Sequence, residues 1–225
     1  MSEVEKIKER YEWRKKFLLS PSKREQLLNK NIISEREKIY SLILHEKFED
    51  LSSLKIMEIG AGTGSNLSFF KNAGIKDKNI YANELLEDRI EGLRSNHPSI
   101  NIFPGNALDL NFKNEFDIVF QSTVFTSILD LSFRQQLAEK MREMTKSGGI
   151  ILWYDFTFSN PFQSYIKPVT KKDVRLLFCH NNKVKFYNVT LYPPIGKRTY
   201  GMYNLVNSIF PFLRSHIIAV ISKDN

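Results

Sequence analysis

Three glycines at alternating positions, Gly60, Gly62 and Gly64, close the run Lys55-Ile-Met-Glu-Ile-Gly-Ala-Gly-Thr-Gly-Ser-Asn66, and an acidic residue, Glu58, stands two places before the first of them. An apolar stretch (Leu54, Ile56, Met57, Ile59) leads into the glycines, and a helical pattern (Leu67, Phe69, Phe70) leads out. The spacing predicts a strand, a tight turn and a helix start in one piece. Glycine has no Cβ, so a ligand can lie against the bare backbone of such a turn. Free N–H groups at a helix start suit an electron-rich ligand atom. The dinucleotide fingerprint G-x-G-x-x-G requires its third glycine one position later, where this chain has Ser65.

The next elements supply further candidates. A second strand, Asn79 to Asn83, ends in Glu84. A carboxylate at that strand tip, about 20 residues past the glycine turn, is placed to accept both hydroxyls of a ribose. A third strand, Ile100 to Phe103, leads to Gly105-Asn106-Ala107-Leu108-Asp109-Leu110. A fourth runs from Phe116 to Phe120 and continues as Gln121-Ser122-Thr123-Val124-Phe125, with Asp117 in a structural role at its start. A helix from Phe133 to Thr145 places Leu137, Met141 and Met144 in the core. Ser147-Gly148-Gly149 is expected to end it, with Gly148 as a left-handed cap. Strand five is Ile150 to Tyr154, followed by Asp155.

With these residues the chain resembles the class I S-adenosylmethionine-dependent methyltransferases, whose first motif Glu58-x-Gly60-x-Gly62-x-Gly64 matches without a gap. The resemblance covers residues 54–158. It implies S-adenosyl-L-methionine as cofactor, held by Glu58, the three glycines and Glu84. It implies Asn106 and Ala107 at the adenine. The stretch from Gln121 to Phe125 falls where cofactor and acceptor meet, so Gln121 is expected at the cofactor and Phe125 at the acceptor. The fold expected is α/β: a seven-stranded, mostly parallel, Rossmann-like sheet with helices on both faces and an N-terminal helical segment.

The two flanks are read as follows. Residues 1–50 are expected to be a helical segment or lid and residues 51–225 the core domain. Pro21 breaks the first helical pattern (Ile7, Tyr11, Phe17, Leu18), and Ser34-Glu-Arg-Glu37 reads as a new helix start. In the resembled family such a segment often lies over the cofactor, which makes Tyr11, Trp13 and Arg14 candidates for contact there. Beyond Asp155 the pattern predicts a loop to Pro161, a helix from Val169 to Phe178 and a strand from Lys183 to Leu191. A loop at Pro193-Pro194, a helix from Gly201 to Phe210 and a strand from Ser215 to Ser222 complete the chain. The last two strands fit an antiparallel pair.

The 225 residues, 42% of them hydrophobic, suffice for one sizeable core. A single cysteine, Cys179, excludes a disulfide framework and fits a reducing, cytoplasmic compartment. No apolar run reaches membrane-spanning length and no leader is visible. The net charge of +8 lies wholly in residues 160–225, which hold 10 basic and 2 acidic side chains. Such an excess suggests an anionic partner.

Methyl transfer to oxygen needs a hydrogen-bond acceptor or base beside the hydroxyl. The candidates are Asp155, expected at the site mouth, with Tyr154 and His180. No Asn-Pro-Pro-Tyr motif follows strand four, and no metal-ligand spacing occurs. Trp153-Tyr-Asp-Phe156, Asn160-Pro161 and Pro193-Pro194 with Arg198 are similar to segments of methyltransferases found with bacterial surface-polysaccharide genes. That resemblance implies a small-molecule or glycan acceptor, an anionic sugar among the candidates, with Arg198 the first choice for a phosphate. An RNA or protein methyltransferase using the basic third is the alternative, and a non-catalytic cofactor-binding subunit is a third reading. Oligomeric state is left open.

Overall fold

The computed structural model describes residues 1–16, 20–158, 165–178 and 183–223. Two helices come first, α1 (Glu3–Lys15) and α2 (Lys23–Lys47). Each starts at a capping box: Ser2 with Glu5, and Ser22 with Glu25. The second start corrects the sequence reading. Ser34 to Glu37 has the same Ser-x-x-Glu spacing but sits in the middle of α2. Pro21 stands just outside the helix, where its missing N–H costs nothing.

Seven strands follow: β1 (Ile56–Ile59), β2 (Ile80–Glu84), β3 (Asn101–Pro104), β4 (Phe116–Ser122), β5 (Thr145–Phe156), β6 (Lys183–Leu191) and β7 (Arg214–Ser222). They form one sheet in the order β3-β2-β1-β4-β5-β7-β6. The first five pair in parallel, and β7 runs antiparallel to both β5 and β6. The intervening helices are α3 (Leu67–Asn72), α4 (Glu87–Asn96), α5 (Leu131–Met144), α6 (Lys171–Phe178), α7 (Pro193–Arg198) and α8 (Tyr203–Ile209). The expected fold class is thus the observed one.

Strands buried on both faces read as continuous apolar runs, and their alternate residues feed two cores. Met57, Ile59, Val119, Ile151, Trp153, Ile217 and Ala219 face α1, α5 and α6. Ile56, Ile118, Phe120, Leu152, Tyr154 and Ile218 face α2 and α3. Met141 and Met144 are fully buried in the first core, as their spacing indicates.

Two turn readings are corrected. The chain enters β5 directly after Met144, with Thr145 as the helix cap. Gly148 is left-handed (φ 73°), but it bends the start of β5, where its N–H donates to the carbonyl of Lys223. Pro193-Pro194 opens a helix rather than a loop, because the first turn needs no N–H donors.

Glu35 fastens α2 to the C-terminal part. Its carboxylate accepts hydrogen bonds from Thr190 N (3.0 Å), Tyr203 Oη (2.6 Å) and Asn207 Nδ2 (2.7 Å). Glu35→Ala leaves these donors unpaired and is expected to lower stability by about 2–3 kcal/mol, measurable by calorimetric unfolding. Unchanged stability would show that packing alone holds the contact.

Candidate active site

The glycine turn follows directly from β1. Gly60, Gly62 and Gly64 all have positive φ (65°, 60° and 87°), a region costly for other residues. The turn's donors point inward: Ala61 N bonds Asn83 O (2.9 Å), Gly64 N bonds Ala61 O (3.0 Å) and Gly62 N bonds Glu84 Oε2 (2.6 Å). A dinucleotide turn keeps such groups free for a pyrophosphate. Here three are committed, so the turn offers a ligand backbone surface more than anion donors. α3 is only six residues long, which limits any helix-start contribution further.

The glycines differ in what they do. Gly60 and Gly62 line a cavity of about 350 Å³ at the carboxyl edge of the sheet. Gly64 lies outside the wall. A Cβ there would collide with the His97 ring, whose Nε2 meets Gly64 O at 2.9 Å. The third glycine of the motif therefore lets α4 approach, which corrects its expected place at the cofactor.

Glu84 stands at the tip of β2, 3% exposed, in the cavity wall. Besides Gly62, its carboxylate accepts from Leu85 N (2.8 Å) and Leu86 N (2.9 Å). Of roughly four acceptor positions on a carboxylate, three are used, so one is left for a ribose hydroxyl rather than one for each. Asn83 fastens the β2 tip to β3 through Phe103 O (2.9 Å) and Gly105 O (3.0 Å). Asn106 and Ala107 line the same cavity, together with Leu85, Phe133 and Leu137. The side chain of Asn106 accepts from Leu108 N (3.1 Å), leaving its amide nitrogen for a ligand. The flat apolar slot and adjoining amide suit a purine.

Beyond β4 the chain turns sharply. Thr123, a β-branched residue, adopts φ 59°. The strain is held by Thr123 N donating to Tyr154 O (2.8 Å) and Val124 N donating to Gln121 Oε1 (2.9 Å). Gln121 is fully buried, and its Nε2 also donates to Tyr154 O (3.3 Å). It shapes the wall that Ser122, Thr123 and Val124 present, but is not itself part of it.

Four other expected positions are also relocated. Asp155 does not face the mouth. It is fully buried on the α5 and α6 side of the sheet, accepting from Thr126 Oγ1 (2.7 Å) and Thr126 N (3.3 Å). Burial pushes its carboxyl up to about 7, against the pull of those hydrogen bonds. Phe125 is buried against Trp153 with ring centroids 4.0 Å apart, so it is core rather than acceptor wall. Tyr154 lies on the opposite face, its hydroxyl bonded to Thr190 Oγ1 (3.0 Å) and raised to about 12 by burial. Arg198 is exposed at the end of α7, outside the cavity. His180, Cys179 and Asn160-Pro161 lie outside the described residues.

The residue that sequence reasoning missed is Arg36, from the middle of α2. Its guanidinium enters the cavity wall, 4.6 Å from the Tyr154 ring centroid, and donates to Ser122 Oγ and Asn66 Oδ1 at 3.3 Å each. Asn66 Nδ2 in turn donates to Glu58 Oε1 (2.7 Å). Arg36 Nε and Glu58 Oε2 are buried without hydrogen-bond partners among the described residues. Glu58, expected at the cofactor, thus reaches the cavity only through Asn66. Tyr11 also lines the cavity, bonded to Ser127 Oγ (3.0 Å), together with Val4 and Ile7 of α1. Trp13 and Arg14 instead pack on Tyr165.

A sulfonium amino-acid nucleoside fits this set: an amide-edged apolar slot, a carboxylate for ribose, bare glycine backbone and an incompletely paired arginine. The fold is that of the class I methyltransferases. Residues 56–149 match the model of a family described as a methyltransferase domain. The structure is similar to the magnesium protoporphyrin IX methyltransferase of Synechocystis, solved with bound S-adenosylmethionine. That likeness has a TM-score of 0.68 and 10% identity, over 98% of this chain and 97% of that one. An S-adenosylmethionine-dependent methyltransferase from Mesorhizobium loti gives 0.60 and 12%, over 80% and 96%. Phosphoethanolamine N-methyltransferase 2 from Haemonchus contortus, in complex with S-adenosylmethionine, gives 0.58 and 15%, over 83% and 52%. At such identities the likenesses carry the fold. No curated protein matches the chain in sequence. The chain is an S-adenosylmethionine-dependent methyltransferase, and S-adenosylmethionine is its cofactor.

Burial raises the Glu58 carboxyl to about 8, partly opposed by Asn66 and Arg36. The folded state therefore keeps a proton that the unfolded chain loses at lower pH. Its contribution to stability is complete below the ordinary carboxylate range and is lost as pH rises through about 8. Urea unfolding of the cofactor-free protein is expected to show wild type losing stability relative to Glu58→Gln between about pH 5 and about pH 9. A constant difference would mean that Glu58 is ionised in the folded state.

Proposed function

We propose that this methyltransferase acts on a hydroxyl oxygen of a small-molecule or glycan acceptor, an anionic sugar of surface-polysaccharide synthesis being the favoured case. The observation that carries the size argument is the roof. Val4, Ile7 and Tyr11 of α1, with Arg36 of α2, cover the cofactor cavity. α1 is tied down by Glu3, which accepts from Leu129 N (2.9 Å), and by Arg10, which donates to Ser127 O (3.0 Å). A small acceptor is suited to such a covered site. The first 50 residues act in this reading as a cover on the core domain.

The basic third supports a nucleic-acid acceptor poorly. Lys183 and Lys185 lie at the amino end of β6, the edge away from the cavity. Lys185 and Lys197 pair with Glu46 and Glu25. The charge is spread around the domain rather than gathered at one face. In this reading Lys167, Lys197 and Arg198 are the cations of that third available to an anionic acceptor. The polysaccharide reading rests on the short segments Trp153 to Phe156 and Pro193-Pro194 with Arg198. No helix among the described residues is long and apolar enough to cross a membrane, and with one cysteine we place the enzyme in the cytoplasm.

When bound, the cofactor would supply an activated methyl on a sulfonium that leaves as a neutral thioether, and the acceptor hydroxyl would release its proton to water. The chain's residues position the reactants. In this reading Glu84 holds the ribose and Asn106 and Ala107 the adenine. Arg36 holds the cofactor carboxylate in a charge-assisted contact. Glu58 orients Arg36 through Asn66. Asp155 and Gln121 keep the post-β4 turn in its strained shape, so that Thr123 can border the reacting methyl. Asp155 is thus a positioning residue here, with Tyr154 the ring on which Arg36 rests.

Calorimetry should show binding of S-adenosylmethionine and S-adenosylhomocysteine, with NAD far weaker. Loss of a charge-assisted contact worth roughly 1.5–3 kcal/mol predicts about 10- to 100-fold weaker binding for Glu84→Ala and for Arg36→Gln. No heat with either adenosyl ligand would refute the assignment of the site. Unchanged affinity in Arg36→Gln would remove that residue from it.

A further inference from the structure

A second cavity, of about 490 Å³, lies at the same edge of the sheet. It sits where β5 and β6 end and β7 begins, and Phe156, Phe158, Tyr192, Lys197 and His216 line it. Its walls are aromatic: Phe158 and Tyr192 meet at 5.3 Å, and Phe156 meets the His216 ring at 5.8 Å. Tyr154 connects it to the cofactor cavity. The Tyr154 ring stacks on His216 at 5.2 Å and also carries Arg36, which lines the first cavity. Arg36 of the first wall and His216 of the second thus flank one tyrosine ring, so the two cavities adjoin.

Among the described residues, His216 is the only histidine in this wall. Its Nδ1 lies 3.0 Å from Ser215 Oγ, whose own hydroxyl hydrogen points to Thr190 O at 3.4 Å. In the tautomer that lets Ser215 Oγ donate to Thr190 O, Nδ1 is the donor and the Nε2 lone pair is an acceptor, with no partner among the described residues. Burial, with the nearby Arg36 charge, holds the imidazole down to about 3, so it is neutral at working pH. A neutral imidazole accepts a hydrogen bond from a hydroxyl. Lys197 brings a cation to the rim. It pairs with Glu25 at 2.6 Å, and with Lys197 half exposed such a pair is weak and readily exchanged for a ligand anion.

We propose that this second cavity binds the acceptor, a sugar ring carrying a phosphate. The apolar face of the ring lies on Phe158 and Tyr192, a hydroxyl donates to His216 Nε2, and the phosphate meets Lys197. This rests on the glycan reading above and gives that reading a place in the fold. It also replaces the expected Arg198 contact with its neighbour in sequence.

The test titrates the protein, saturated with S-adenosylhomocysteine, with glucose 1-phosphate and uridine diphosphate glucose, using neutral methyl glucoside as control. Three variants are compared with wild type: His216→Phe keeps the ring stack without the nitrogen, Lys197→Gln removes the charge, and Phe158→Ala trims a side chain that is 54% exposed and so carries little of the fold. The two anionic sugars should bind wild type more tightly than the glucoside. Each variant should weaken them about fivefold or more, the loss expected for one such contact. S-adenosylhomocysteine affinity should stay within about threefold in all three variants, which reports an intact fold and cofactor site. Equal sugar binding in wild type and in Phe158→Ala and Lys197→Gln would overturn this cavity as the acceptor site while leaving the glycan reading standing. Failure of both sugars to bind a wild-type protein that holds S-adenosylhomocysteine would overturn the glycan reading, and this proposal with it.

Discussion

The carboxylate of Glu84 is the tie on which the site depends. It accepts three backbone N–H groups, from Gly62, Leu85 and Leu86, and so joins the tip of β1 to the tip of β2. Buried hydrogen bonds to a charged acceptor are among the stronger contacts in a protein. The glycine turn can hold three positive φ angles because its own donors are satisfied internally and by Glu84. With those donors spent, what remains for a ligand is uncovered backbone, one carboxylate lone pair and the part of the cavity lined by Leu85, Asn106 and Ala107. The chemistry follows from that remainder, which suits a nucleoside without phosphates.

A second chain of contacts runs across the cavity's other end. Glu58, Asn66 and Arg36 link β1, the turn and α2, and Arg36 rests on Tyr154 of β5. The N-terminal helices therefore contribute to the site and do more than cover it. The same Tyr154 ring stacks on His216 of β7. Through this ring the parallel half of the sheet, which carries the first cavity, meets the antiparallel end, which carries the second.

The sheet was legible because each strand reads as an apolar run closed by a turn signal, and β6 matched its expected bounds from Lys183 to Leu191. The wall of the first cavity was legible at Gly60, Gly62, Glu84, Asn106 and Ala107, where spacing from a strand end dictates position. Asp155 was misjudged for a physical reason. In a strand buried on both faces no polar residue marks which way the pleat points, and Trp153, Tyr154 and Phe156 are large on either side. Gly64 shows that a motif glycine can serve helix packing rather than the ligand. Arg36 lay beyond reach because its partners, Asn66, Ser122 and Tyr154, are 30, 86 and 118 positions away in sequence. The second helix start was ambiguous because Ser22 and Ser34 both precede a glutamate by three residues. Only the first has the chain break of Pro21 before it.

The central claim is that one cavity, between the glycine turn, Glu84, Asn106 and Arg36, holds the whole cofactor. A crystal structure of the protein with S-adenosylhomocysteine tests it most directly. The account predicts the adenine between Ala107 and Leu85, a ribose hydroxyl on Glu84 and the carboxylate within hydrogen-bond distance of Arg36. An amino-acid end directed away from Arg36, or a ligand seated outside this cavity, would contradict it.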